Sequence, residues 1–219
     1  MAERRPARPA PSHPDVDIAG VESTQLRFMR LDSFDFRHRL FAGGWSGARR
    51  YEVVRRGEAV AVILYDPARD EVVLVEQFRL PALLAGRSPW QIEAVAGLID
   101  GDGESAAGVA LRETQEETGL VPLGDLVPIQ RFLPSVGASD EYVHLFCGRV
   151  DAAGAGGVHG LADEHEDIRV VVKTLAEIEA LLEEGAIESA HTLVALYWLL
   201  RHREELRRRW GPGVGRHRS

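Results

Sequence analysis

Two apolar runs, separated by a short turn, constrain the fold more than any other feature of the chain. EAVAVILYD occupies residues 58–66 and EVVLVEQFRL occupies residues 71–80, and both runs are rich in β-branched and other apolar side chains. The Pro and Asp residues of the intervening DPARD are typical of a turn. The pattern therefore predicts two consecutive strands.

Strands and helices alternate along the rest of the chain. We predict short strands within 20–57, a strand at 91–97, a helix at 104–118 that stops at Gly119, strands within 125–150, a strand at 168–175, and helices at 174–185 and 189–210. Strands interleaved with helices in one compact unit predict an α/β layered domain.

The charge distribution indicates an acidic body. The chain has 219 residues and a net charge of −8; residues 1–15 carry +1 and residues 201–219 carry +5, which leaves −14 for residues 16–200. Such a body repels phosphate, so we expect no nucleic-acid partner. The same charge suits a protein that gathers cations.

The composition also bears on location. No apolar run approaches the ~18 residues that a membrane-spanning helix needs. The lone Cys147 cannot form an internal disulfide, and no apolar stretch follows the Arg-containing start, so a secretion signal is not expected. We therefore expect a cytoplasmic protein without a membrane partner.

The stretch GLIDGDGESAAGVALRETQEETGL, from Gly97 to Leu120, carries the chemistry. On a helix, Glu113 and Glu117 lie one turn apart and Glu116 lies close to both. Like charges at this spacing weaken a helix by roughly 0.2–0.5 kcal/mol per pair. A divalent cation such as Mg²⁺, which prefers carboxylate oxygens, would remove that cost. The alternative is a solvated acidic face.

The order of residues in this stretch resembles the Nudix box, G-x5-E-x7-R-E-U-x-E-E-x-G-U, where U is aliphatic. The matching residues are Glu104, Arg112, Glu113, Glu116, Glu117, Gly119 and Leu120. Two positions differ: six residues instead of five separate Gly97 from Glu104, and Thr114 fills an aliphatic position. The extra residue falls in the loop before the helix, so the spacing of the carboxylates is unchanged.

Segments outside the box extend the resemblance over roughly residues 28–208. FRHRLF, RGEAV, DPARDEVVLVEQFR, AVAGLI and HGLADEHEDIRV are similar to the bacterial ADP-ribose pyrophosphatase subfamily. The resemblance implies an α/β/α sandwich around a mixed sheet, with a small N-terminal β domain that is exchanged in a homodimer. We accordingly expect a disordered tail at 1–16, an N-terminal β domain at 17–57, the Nudix hydrolase domain at 58–209 and a flexible tail at 210–219.

The resemblance also implies an activity. The expected reaction is the hydrolysis of ADP-ribose to AMP and ribose 5-phosphate, dependent on Mg²⁺, with Mn²⁺ as a possible substitute. One alternative is a pyrophosphatase for another nucleoside diphosphate sugar, such as GDP-mannose. A second alternative, from another class, is a sensor that binds ADP-ribose without hydrolysing it.

Residue roles follow from the resemblance position by position. The metal ligands would be Glu113, Glu116, Glu117, Glu166 and the backbone carbonyl of Ala96, and Glu164 would be the general base. The substrate contacts would be Arg79 with phosphate, Arg56 and Glu52 with the nucleotide, Phe28, Met29 and Tyr51 with the base, and Leu98, Ser135 and Glu141 with the terminal ribose. The simpler alternatives are a solvated acidic loop around Glu164, a surface salt bridge at Arg79, and loop packing at the ribose positions.

Overall fold

The computed structural model describes residues 11–26, 29–101 and 103–211, which fall into two units. One unit comprises the described residues up to Glu58 together with Leu133–Tyr142, and the other comprises Ala59–Phe132 and the described residues from Val143 onward. The predicted limits 17–57 and 58–209 assign segment 133–142 to the second domain, whereas its contacts place it in the first unit.

The first unit contains a three-stranded antiparallel sheet. Its strands are β1 (Val16–Gln25), β2 (Arg30–His38) and β3 (Arg49–Arg55), in that spatial order. The sequence correctly predicted strands here. It was wrong about Val16, which it placed in a disordered tail and which begins β1; residues 1–10 lie outside the described part.

The second unit is built on an eight-stranded mixed sheet. The main path runs β10-β11-β5-β4-β9-β8, and β6 and β7 pair with β5 and β4. The strands are β4 (Glu58–Asp66), β5 (Glu71–Phe78), β6 (Trp90–Glu93), β7 (Val95–Leu98), β8 (Val127–Phe132), β9 (Tyr142–Arg149), β10 (Val158–His159) and β11 (Ile168–Thr174). The two apolar runs of the sequence are β4 and β5, and both are almost entirely buried.

Helices cover both faces of this sheet. Helix α2 (Ala106–Thr118) packs Val109 and Ala110 against one face, where Val60, Val62 and Val73 lie. Helices α3 (Leu175–Glu183) and α4 (Ala190–Trp210) cover the other face through an apolar set that includes Ile178, Leu196 and Leu199. This arrangement confirms the predicted α/β/α sandwich.

The sheet forks between its two central strands. β4 pairs with β5 only from Leu64 to Asp66 and with β7 from Ala59 to Val62, while β5 pairs with β6 from Val75 to Phe78. The single strand predicted at 91–97 is therefore two strands, separated at Ala94 and bound to different neighbours.

Two further details differ from the sequence prediction. The loop predicted after β5 contains a short helix, α1 (Leu80–Leu84). Trp210, which the predicted domain limits place in a flexible tail, is the last residue of α4, in agreement with the helix predicted at 189–210, and is buried. Among the described residues, no helix is long and apolar enough to cross a membrane.

Candidate active site

Helix α2 has well-formed ends that set the register of its carboxylates. The Ser105 hydroxyl caps the start by accepting a hydrogen bond from the Gly108 N–H at 3.0 Å, and Gly119 ends the helix in a left-handed conformation with φ of 70°. Thr114, at the position where the box has an aliphatic residue, is fully buried and donates its hydroxyl to the Ala110 carbonyl at 2.7 Å. Because the hydroxyl is satisfied within the helix, Thr114 can replace an aliphatic side chain there.

Glu117 faces the interior and meets the fork of the sheet. Its side chain accepts a hydrogen bond from the Ala96 N–H at 3.3 Å. In an antiparallel strand the N–H and C=O of one residue point to the same side, so the Ala96 carbonyl points towards Glu117 as well. The structure therefore brings together two of the predicted metal ligands.

Glu113 and Glu116 share one guanidinium. Arg112 donates to Glu113 at 2.9 Å and to Glu116 at 2.8 Å. Glu113 also fills space left by Gly97, because a Cβ at position 97 would overlap its carboxylate. The glycine that opens the box thus makes room for a box glutamate.

Burial and mutual repulsion disfavour the charges on this helix face. Burial raises the pKa of Glu113 to about 7, with further increases from Glu116 and Glu166 and an opposing effect of Arg112. Burial and the charge of Glu113 raise the pKa of Glu117 to about 8, against the hydrogen bond from Ala96. Groups of this kind, packed together and poorly compensated, are typical of functional sites.

The acidic loop lies beside α2. The Gly160 N–H donates to the backbone carbonyl of Glu116 at 3.2 Å, and the Glu166 carboxylate accepts from the Leu161 N–H at 3.0 Å. Glu164 ends a short 3₁₀ turn (Ala162–Glu164) and is exposed. Partial desolvation raises its pKa, and the charge of Glu166 adds to the increase. Glu164 and Glu166 are therefore close neighbours of the helix carboxylates.

These carboxylates suit a divalent cation in their chemistry, although their present rotamers do not surround one. No group of three or more His, Cys, Asp or Glu side chains among the described residues converges closely enough to hold a metal ion. Glu113 and Glu116 point to Arg112, Glu117 to Ala96, and Glu166 to a loop amide. Arg112 is the cationic group that Glu113 and Glu116 contact in this structure.

Arg79 follows β5 and forms an ion pair with Glu93, with 2.6 Å between its Nε and the Glu93 carboxylate. Since 7% of the Glu93 side chain is exposed, this is not the surface salt bridge considered as an alternative. The charge of Arg79 lowers the pKa of Glu117, so the guanidinium lies near the carboxylate helix. Leu98 ends β7 and is exposed.

The other predicted substrate residues belong to the first unit. Arg56 and Glu141 form an ion pair at 3.0 Å, and the Tyr51 hydroxyl donates to the Gly137 carbonyl in the same loop. Of the remaining residues, Glu52 lies in β3 opposite Ser33, Ser135 begins a turn, and Met29 precedes β2. Phe28 lies outside the described residues.

Sequence reasoning missed three carboxylates that contact these groups. Asp100 lies close enough to Glu164 to raise its pKa, and the acidic sequence LIDGDG was the available signal. Asp140 accepts from the Arg56 N–H at 2.9 Å and from Arg55 Nε at 2.5 Å, and Glu93 holds Arg79. No sequence motif marked Asp140 or Glu93, since both contacts join segments far apart in the chain.

Comparisons with known proteins find a matching domain family and similar proteins. A profile of the NUDIX domain matches residues 55–196. The ADP-ribose pyrophosphatase of Escherichia coli (strain K12) is 44% identical over 196 residues, covering 90% of this chain and 93% of that protein. The GDP-mannose pyrophosphatase of Citrobacter koseri is 33% identical over 152 residues, covering 68% of this chain and 76% of that protein.

The fold is also found among solved structures. The crystal structure of an ADP compounds hydrolase matches with a TM-score of 0.66 at 23% identity, covering 92% of this chain and 99% of that one. The 44% identity with the ADP-ribose pyrophosphatase of Escherichia coli confirms the resemblance to ADP-ribose pyrophosphatases inferred from sequence segments.

Proposed function

Because the chain belongs to the Nudix family of hydrolases, we propose that it hydrolyses the pyrophosphate bond of ADP-ribose to give AMP and ribose 5-phosphate. The observation that carries the chemistry is the cluster of buried, mutually repelling carboxylates on α2 beside the acidic loop. The substrate is supported by similarity along 90% of the chain to a protein named for that activity, whereas the GDP-mannose pyrophosphatase relative matches less of it.

Nudix ADP-ribose pyrophosphatases depend on a divalent cation, and we propose Mg²⁺ as the natural one, with Mn²⁺ able to replace it. The donor set fits, because it consists of carboxylates and a backbone carbonyl, the hard oxygen ligands that Mg²⁺ prefers. We assign the ligands as Glu113, Glu116, Glu117, Glu166 and the Ala96 carbonyl. A bound cation would neutralise charge on the phosphate oxygens and acidify the attacking water.

Three side chains of the protein carry out the remaining steps of binding and proton transfer. Glu164 accepts the proton of the attacking water on its carboxylate, a role favoured by its raised pKa and its exposed position. Arg79 binds a phosphate through its planar set of donors. Arg112 compensates the charge of the helix carboxylates when no cation is bound, because it forms ion pairs with two of them.

A substrate panel tests the activity. Purified protein is assayed with ADP-ribose, GDP-mannose, UDP-glucose and NADH, in EDTA and after addition of Mg²⁺ or Mn²⁺. We expect ADP-ribose to be hydrolysed with the highest kcat/KM and no turnover in EDTA. Preference for GDP-mannose would favour the alternative pyrophosphatase, and tight ADP-ribose binding without turnover would favour a sensor.

Two loop variants separate the base from a ligand. Glu164→Gln is expected to lower kcat by roughly 10²–10⁴ with little change in KM, and added Mg²⁺ should not restore the rate. Glu166→Gln should instead lose rate that a higher Mg²⁺ concentration partly restores. Asp163→Asn, a charge change next to Glu164, serves as the control. A near-normal kcat for Glu164→Gln would show that another group is the general base.

We further propose that the chain works as a homodimer, with Phe28, Met29, Tyr51 and Glu52 contributing to a shared site. A shallow apolar hollow of about 200 Å³ on the first-unit sheet supports association, and its lining is Val16, Ile18, Phe34, Phe36, Tyr51 and Val53. Light scattering should give about twice 24.1 kDa. The cytoplasmic location and the absence of nucleic-acid and membrane partners remain predictions from composition.

A further inference from the structure

The Arg79–Glu93 pair combines a buried carboxylate with a partly exposed guanidinium. Glu93 lies at the end of β6 with 7% of its side chain exposed, while 40% of the Arg79 side chain is exposed. One oxygen of Glu93 accepts from Arg79 Nε at 2.6 Å. Among the described residues, the Arg79 side chain has no other hydrogen bond or ion pair, so its two terminal nitrogens remain available to a ligand.

A buried carboxylate of this kind needs its partner. Removing a charge from water costs several kcal/mol, and only a close, well-oriented opposite charge offsets that cost. Glu93 sits on a strand paired with β5 and is held by backbone hydrogen bonds on one side. The Arg79 backbone is fixed as well, since its N–H donates to the Pro89 carbonyl at 2.6 Å. Arg79 is thus held at its backbone N–H and at Nε.

The His191 side chain of the neighbouring helix α4 does not compete with Arg79 for Glu93. His191 in α4 lies 4.0 Å from the second Glu93 oxygen, too far for a hydrogen bond. Burial lowers the pKa of His191, and the charge of Arg79 adds to this against the opposing effect of Glu93, so the ring stays neutral. Thr192 fixes the start of α4 beside this strand by accepting from the Ala94 N–H at 2.9 Å.

We infer that Glu93 is a positioning residue: it holds Arg79 through Nε and directs the terminal nitrogens to the substrate phosphate. The inference rests on the proposed function, because the phosphate of ADP-ribose is the ligand assigned to Arg79.

Glu93→Gln tests the inference with almost no change of shape. The amide oxygen can still accept from Nε, but the charge that retains Arg79 is lost. We expect KM for ADP-ribose to rise about tenfold with kcat changed less than threefold, and the affinity of the protein for ADP-ribose in EDTA, measured by calorimetry, to fall by a similar factor. Glu76→Gln is the matched control, because Glu76 lies on β5, the strand that pairs with β6, and forms an ion pair with another arginine, Arg169, so the change should leave KM unchanged.

A double variant distinguishes positioning from a merely structural role. If Glu93 acts through Arg79, then Glu93→Gln should have no further effect on KM or affinity in the Arg79→Ala background. Effects that multiply would overturn the inference, as would a normal KM in the single variant.

Glu93→Asp covers the case in which the glutamine variant does not fold. It keeps the charge but withdraws the oxygens by one methylene, so KM should rise in this variant too, and the rise should vanish with Arg79→Ala. Wild-type protein without ADP-ribose turnover would refute the proposed function and the inference with it. Wild-type turnover with a normal KM in both Glu93 variants would refute the inference alone.

Discussion

The two units each bury a carboxylate, but they compensate its charge in opposite ways. Asp32 in the first unit is 1% exposed and lies between Arg30 at 2.7 Å and Arg55 at 2.9 Å. Burial raises its pKa, but hydrogen bonds from Ser23 and Arg30 and the two guanidinium charges outweigh that effect and lower the pKa overall. Glu117 in the second unit, similarly buried, has other glutamates as neighbours and a raised pKa.

The difference separates a structural carboxylate from a functional one. A carboxylate that only supports the fold should be paired with cationic donors that stabilise its charge, as Asp32 is with Arg30 and Arg55 through one of its oxygens. A carboxylate that waits for a cation is instead left uncompensated, and the fold tolerates that cost at one place. Asp32 and Glu117 are similarly buried, but the pKa of Asp32 is lowered and that of Glu117 is raised. The direction of the pKa shift therefore distinguishes the structural carboxylate from the functional one.

The largest expected effect concerns Asp32. Asp32→Asn should destabilise the first unit by about 3–5 kcal/mol, because it removes the countercharge of Arg30 and one of the two carboxylates that Arg55 contacts. Hydrogen exchange of the β2 amides is the measurement. The control is Asp35→Asn in the same strand, which breaks an exposed pair with Arg50 and should cost much less stability. Equal losses in both variants would contradict the comparison.

The next effect is expected at Glu117. Glu117→Gln should lower kcat/KM by about 10²–10³ because it removes a proposed metal ligand. Its thermal midpoint in EDTA at pH 8 should be equal to or above that of the wild type, since an uncompensated buried charge disappears. Glu183→Gln, an exposed change in α3, should alter neither value. A clear loss of stability would show that Glu117 resembles Asp32 after all.

The smallest effect is a dependence of stability on pH in EDTA. An unfolded glutamate titrates near 4.5 and folded Glu117 near 8, so between these values the folded state holds a proton that the unfolded state has released. Stability should therefore fall as pH rises from 5 to 8, by on the order of 2 kcal/mol. The loss should be absent in the double variant Glu113→Gln/Glu117→Gln. Urea denaturation at pH 5, 6.5 and 8 measures it.

The sequence predicted those parts of the site that depend on local periodicity. The helix stop at Gly119 and the common face of Glu113 and Glu117 follow from the helical repeat, and the structure has both. The predicted roles of these residues, and of Glu164 and Glu166, stay predictions, because position alone does not show what a carboxylate binds.

The remaining features depend on contacts between distant segments. The break at Ala94 arises because β4 and β5 separate and take different partners, which no property of residues 91–97 reveals. Asp140 and Glu93 matter only through arginines that the fold brings to them. The sequence shows that Asp140 and Glu93 carry a charge, but it does not show which arginine each of them contacts.

The close contact between Gly97 and the Glu113 carboxylate has a consequence for the evolution of the box. The backbone at position 97 does not have the positive φ that favours glycine, so the torsion angles alone would accept alanine. The obstacle is the Glu113 carboxylate, which occupies the place of the missing methyl group. We therefore expect substitutions at positions 97 and 113 to occur together, both in natural sequences and in a mutant library. A side chain at 97 becomes acceptable only in a lineage that has already shortened or redirected the one at 113.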